Sequence, residues 1–162
     1  MRKLLVVTVV ALLLTGCGAA EVFEKVEDVP NAPAMGQEKQ VILTLPESAA
    51  VPVVNADGGR LFFCDGYDLT VQILPGGDLN RTVTTLCGYS AEQVRMVQTQ
   101  RQGNKCYEWV WSAAGEGGDQ VGRAMVISDG IYDYCVCAMA DAVTAGVLDA
   151  EWSAIFEGIA LA

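Results

Sequence analysis

Histidine is absent from this 162-residue chain. That excludes Ser-His-Asp and Cys-His nucleophilic machinery and any zinc site needing an imidazole ligand. Proton transfer would fall to Asp, Glu, Lys, Tyr or Cys. Basic residues are scarce too: 10 Lys and Arg stand against 20 Asp and Glu, a formal charge of −10. Such a surface repels phosphate backbones and anionic headgroups, so nucleic acid is excluded as a partner. Long apolar runs are missing. Leu4 to Leu14, interrupted by Thr8, falls short of the ~20 residues that span a bilayer. No two cysteines have the Cys-x-x-Cys spacing of redox and zinc motifs.

The N-terminus carries the most specific pattern. Arg2 and Lys3 are followed by the apolar run and then by Leu14-Thr15-Gly16-Cys17, the three-part layout of an export signal. Leu14 to Cys17 resembles the lipobox of bacterial lipoproteins. The resemblance implies a signal peptide over residues 1–16 and cleavage between Gly16 and Cys17. It also implies diacylglycerol on the Cys17 thiol and acyl chains of the palmitate type. Two or more chains on one residue hold firmly, since each buried CH₂ contributes ~0.8 kcal/mol. The expected location is the extracytoplasmic face of a bacterial cell membrane, or a periplasm. Removing residues 1–16 leaves 146 residues, enough for one domain with a real core. Because Arg2 and Lys3 go with them, 8 basic residues remain against 20 acidic ones, a balance of −12.

Lipidation of Cys17 leaves Cys64, Cys87, Cys106, Cys135 and Cys137 as disulfide candidates. At most two bridges form within a molecule and one thiol stays single; the pairing is open. Cys135, Cys137 and Met139 alternate along an expected strand and share one face. That row of sulfur atoms suits a soft metal such as Cu(I) or a thiol redox pair. The simpler reading is packing, because free cysteine behaves as a small buried hydrophobe.

Residues 17–40 are charged, contain two prolines and have no apolar period, which predicts a flexible tether carrying the lipidated cysteine. Residues 41–162 form the expected single domain. Short strands are predicted at Val41–Pro46 and near Val51–Val54. Asp65-Gly66 and Asp129-Gly130, each between apolar runs, predict hairpins. Asp78 is a helix N-cap, Leu79, Val83 and Leu86 give an apolar face, and Gly88 is a stop. Ser90 and Gln93 have capping-box spacing, which predicts a further helical turn. Strands follow over 94–100, 105–114, 120–128 and 131–140. From Asp141 onward, Leu148, Trp152, Ile155, Phe156 and Ile159 make a broad apolar helical stripe. The expected class is α+β, an antiparallel sheet of about six strands with two helices on one face.

This order of elements resembles the PsbP-like fold and the small bacterial lipoproteins that share it. The stretches involved are LTLPESA, GYDLTVQILPGGD, WVWSAAGEGGDQVGRAMVISDGIYDYCVCAMADA and EWSAIFEGI. The resemblance implies architecture and an accessory or binding role, and it brings no active-site residue with it.

Three further groups bear on chemistry. The GEGGD loop, with Glu116 and Asp119, lacks the Lys-Ser/Thr and the following helix of a phosphate loop. It could at most offer a weak calcium site, and a plain hairpin loop is the simpler reading. Tyr107, Trp109 and Trp111 alternate on one strand face and are expected beneath the C-terminal helix, pairing with Trp152 and Phe156. The opposite face, with Cys106, Glu108, Val110 and Ser112, is then the expected open binding surface. Asp129 and Asp133 are a weak carboxylate pair, since turn aspartates usually serve backbone geometry. The expected function is a lipid-anchored binding or accessory lipoprotein, not an enzyme, without a cofactor, whose partner is a protein or another envelope component.

Overall fold

The computed structural model describes residues 36–162, except 116 and 117. The expected signal peptide, Gly16, Cys17, most of the tether and Glu116 lie outside these residues. Strands β1 (Val41–Ile42), β2 (Val53–Val54), β3 (Arg60–Cys64) and β4 (Tyr67–Pro75) come first, then helix α1 (Leu79–Cys87). Next are β5 (Met96–Arg101), β6 (Asn104–Gly115), β7 (Gly118–Ser128) and β8 (Tyr132–Asp141). Helix α2 (Ala142–Glu157) and β9 (Ala160–Leu161) close the chain. The main sheet has seven antiparallel strands in the order β2-β3-β4-β8-β7-β6-β5, and β1 pairs with β9 in a separate ribbon. This is an α+β fold. Among the described residues no helix is long and apolar enough to cross a membrane.

Local chemistry sets the boundaries. Asp78 accepts the Arg81 N–H at 3.0 Å and so satisfies one of the donors left over at the start of α1. Gly88, at φ 77°, returns its N–H to the Thr84 carbonyl and ends that helix. Asp141 accepts from the N–H groups of Val143 and Thr144 at 3.1 and 2.9 Å and starts α2. The α2 C-terminus is finished from a distance: Arg101 Nη1 donates to the carbonyls of Phe156 (2.8 Å) and Ile159 (2.9 Å). Ser90 and Gln93 make half of a box: Gln93 Oε1 accepts the Ser90 N–H at 2.8 Å, while the Gln93 N–H goes to the Ser90 carbonyl at 3.0 Å. Only a turn forms there, and the chain passes directly to β5.

The two helices lie on opposite faces of the sheet, which corrects the one-sided expectation. Helix α2, with Leu148, Trp152, Ile155 and Phe156, covers the face carrying Tyr67, Leu69, Val71, Met125, Ile127, Tyr134 and Val136. Helix α1, through Val83, covers the face carrying Trp109, Trp111, Ala124, Val126 and Cys135. The aromatic row on β6 therefore sits under α1, not under the C-terminal helix. The reason is register. Tyr67, Leu69 and Val71 on β4 and Tyr134 and Val136 on β8 supply the large residues beneath α2, so the β6 tryptophans, on the other face, are left for α1. The middle of β7, Ala124 to Ile127, is buried on both faces and so reads as an unbroken apolar run.

The expected open surface is only partly open. Cys106 is buried in the α2 core, and Glu108 bonds Arg123 at 2.7 Å beneath α2, with the Arg123 guanidinium 4.8 Å from the Phe156 ring centre. Val110 and Ser112 remain exposed. The last residues of the expected tether are already tied in. Lys39 donates its N–H to the Tyr134 hydroxyl at 3.1 Å, and Gln40 exchanges backbone bonds with Ala162.

Candidate functional site

Register brings three polar side chains abreast where β6, β7 and β8 meet the turns. Lys105 pairs with Ser128, and Ser128 pairs with Asp133. Directly paired residues share a face, so the three form a row on the α1 side. Two strand spacings set the ends of the row about 10 Å apart. The row borders a cavity of about 360 Å³, also lined by Gly77, Leu79, Asn104 and Tyr107. Gly103 and Gly130, at φ 78° and 93°, form the tight turns at its rim; side chains with a Cβ rarely adopt that backbone.

The two aspartates at this cavity differ in role. Asp129 serves the turn: Oδ1 accepts the N–H groups of Ile131 and Tyr132, while Oδ2 takes the Tyr134 hydroxyl and lies 3.6 Å from the Lys39 ammonium. Burial works against its charge, but the N–H groups of Tyr132 and Ile131, the Tyr134 hydroxyl and Lys39 outweigh it. They hold the carboxyl below the usual carboxylate range. Asp133 is buried at 2% exposure, although it follows the same turn. Its Oδ2 accepts the Thr82 hydroxyl at 2.6 Å, which pins α1 to β8. Its other oxygen takes no hydrogen bond from the described residues and opens on the cavity. The cavity lining thus has acceptors and donors, and among the described residues no hydrogen bond joins the Ser128 hydroxyl to Lys105 or Asp133.

Cys135, Cys137 and Met139 do share a face, the one under α1. Cys135 is fully buried and its thiol donates toward the Asp133 carbonyl at 3.3 Å. Burial, then Asp133 and Cys137, push the Cys135 thiol above its ordinary value. Burial, then Cys87, push the Cys137 thiol up to about 12. Thiols so raised are protonated at neutral pH, which makes them weak nucleophiles and weak metal ligands. The neighbour of the row is Cys87, brought in by α1; sequence spacing had no way to pair a helix residue with a strand 50 positions away. Met139 is 37% exposed at the far end of the row. Cys64, Cys87, Cys106, Cys135 and Cys137 are all present as thiols. Cys64 and Cys106 belong to the other face, and burial raises both.

Asp119 is exposed on β7, and no group of three or more Cys, Asp or Glu able to hold a metal occurs among the described residues. Lys105, Ser128 and Thr82 escape a reading by motif. Counting outward from the Gly103 and Asp129-Gly130 turns is the one signal that aligns the first two with Asp133.

No family model matches this chain. No curated protein is similar to it in sequence either. Solved structures do match. LpqN of Mycobacterium tuberculosis, a protein involved in cell envelope biogenesis, is similar at 12% identity with a TM-score of 0.51. The match covers 76% of this chain and 84% of LpqN. A crystal structure from Bacteroides thetaiotaomicron matches at 9% identity and a TM-score of 0.52, covering 75% of this chain. This chain spans only 45% of that structure's length. Cyanobacterial PsbP (CyanoP) from Synechocystis matches at 9% identity and a TM-score of 0.44, over 73% of this chain and 95% of CyanoP. At such identities the likeness to LpqN and the Bacteroides protein is one of fold alone.

Proposed function

We propose that this protein is a lipid-anchored extracytoplasmic lipoprotein of PsbP-like architecture that acts by binding, as an accessory module, and not by catalysis. The observation that carries the reading is the leader ending in Leu14-Thr15-Gly16-Cys17. Cys17 is the acylated residue, and the membrane is the first partner through it. A fold shared with LpqN, an envelope-biogenesis protein, supports the location and an envelope component or protein as the second partner. The α1-side cavity, with groups of opposite charge in one lining, supports a binding role.

The test is the mass of the N-terminal peptide from the native host, together with membrane fractionation of the wild type and Cys17→Ala. The expected result is a diacylglyceryl-modified Cys17 peptide in the membrane fraction and release of the variant. An unmodified intact leader, or the wild-type chain in the cytosol, overturns the proposal.

The second reading is thiol redox or Cu(I) handling by Cys135, Cys137 and Met139. The packing of Cys87 against this row favours it by adding a third thiol. The burial that protonates Cys135 and Cys137 opposes it. Thiols of the native domain that react only after denaturation, with no Cu(I) uptake, exclude this reading.

A further inference from the structure

We infer that the α1-side cavity binds a small zwitterion of the α-amino-acid type, its ammonium held by Asp133 and its carboxylate by Lys105. This rests on the reading of the domain as a binding module, and it is independent of the lipid anchor.

Two unneutralised charges of opposite sign face one space. Of the two carboxylates in the lining, Asp129 has both oxygens occupied by turn N–H groups, Tyr134 and Lys39. Asp133 has one oxygen committed to Thr82 and one open to the cavity. A carboxylate at 2% exposure whose second oxygen opens on the cavity is an acceptor available to an N–H or O–H donor that enters there. Lys105 lies in the same row and enters no ion pair among the described residues. A purely cationic ligand would leave Lys105 unanswered and close to a like charge. A purely anionic one would meet Asp133. A ligand carrying both charges answers both.

The rest of the lining agrees. Ser128 stands between the two charged residues and offers a hydroxyl that donates or accepts. Leu79 opens α1 onto the cavity. At about 360 Å³ the cavity is at the small end of ligand sites, which run from about 300 to 1,000 Å³. That suits a free amino acid or a dipeptide and excludes a folded segment.

The experiment is an amide-shift NMR titration of the isotope-labelled full-length chain in detergent micelles. Each of the twenty amino acids is added singly, followed by the N-acetyl and methyl-ester forms of any that binds. The expected result is saturable shifts at Gly77, Gly103, Ser128 and Gly130 with at least one amino acid. Binding should weaken at least tenfold for the acetyl form, which lacks the ammonium, and for the ester, which lacks the carboxylate. Asp133→Asn and Lys105→Met should each weaken it at least fivefold. Lys105 is exposed, so its variant folds even if the Asp133 variant does not. Absence of saturable shifts with all twenty overturns the inference. So does equal binding of either blocked form, or unchanged binding by Lys105→Met. Membrane attachment is scored separately by fractionation, so failure of the anchor leaves this outcome readable.

Discussion

The two faces of the central sheet are covered unequally. One lies under the sixteen residues of α2 and the β1–β9 ribbon, and it buries Tyr67, Leu69, Tyr134, Trp152 and Phe156. Its cover is fastened by Arg101 on the helix C-terminus, by Gln102 on both backbone groups of Leu161, and by Arg123 on Glu108 and Ser153. The other face lies under the nine residues of α1. Its core holds Trp109, Trp111, Val83 and Cys135, and the Thr82–Asp133 bond pins the helix. A short helix cannot reach the end of the sheet, and the uncovered end becomes the cavity. The firmly covered side and the side proposed to bind are thus two faces of the same strands. The difference in cover is what separates them.

The largest expected effect that probes this contrast is Phe156→Ala. Phe156 is fully buried beneath Arg123, and its truncation should cost about 3–5 kcal/mol. Val83→Ala, at the centre of the α1 core, should cost about 2 kcal/mol. Urea unfolding of both checks the pair, and a Val83 loss equal to or above the Phe156 loss would break the comparison. Next is Gly122→Ala. A Cβ at Gly122 would stand 2.2 Å from the Trp111 ring, which lies across that position. The overpacking should cost about 1–3 kcal/mol and disturb the Trp111 environment in near-ultraviolet dichroism.

Arg101→Met should cost about 2 kcal/mol, through lost charge-assisted bonds to the end of α2. It should speed amide exchange at Ile159 and Leu161 more than at Val83. The smallest effect is electrostatic. The Asp129 carboxyl is held below its usual range, so its contribution is complete above the unfolded value of ~3.9 and is lost as pH falls through the lower folded one. Asp129→Asn should therefore flatten the acid limb of stability below about pH 4, with a neutral-pH loss under about 1 kcal/mol. Urea midpoints measured from pH 6 down to pH 2 test the sign.

Local signals in the sequence were legible nearly to the residue. Asp78 and Gly88 bracket α1 as read, and Asp65-Gly66 and Asp129-Gly130 make their hairpins. Those boundaries depend on backbone geometry that a few residues determine alone. The assignment of helices to faces was not legible. The Tyr107-Trp109-Trp111 alternation marks a face, but which helix covers it depends on the β4 and β8 registers far along the chain. β1 falls within the strand expected at Val41–Pro46, but β9 is too short for any period to reveal. At the site, Asp129 behaved as turn aspartates do, whereas Asp133 did not: its role needs Thr82, 51 residues earlier. Cys87 joins the sulfur row for a similar long-range reason.

Native-state hydrogen exchange tests the division of labour most directly. If the α2 side is scaffold, amides of Leu148 to Phe156 exchange only through global unfolding. Those of Val83 to Cys87 then exchange through a smaller opening, at least tenfold faster, with β7 and β8 still protected. Equal protection of the two helices, or slower exchange in α1, would contradict the account.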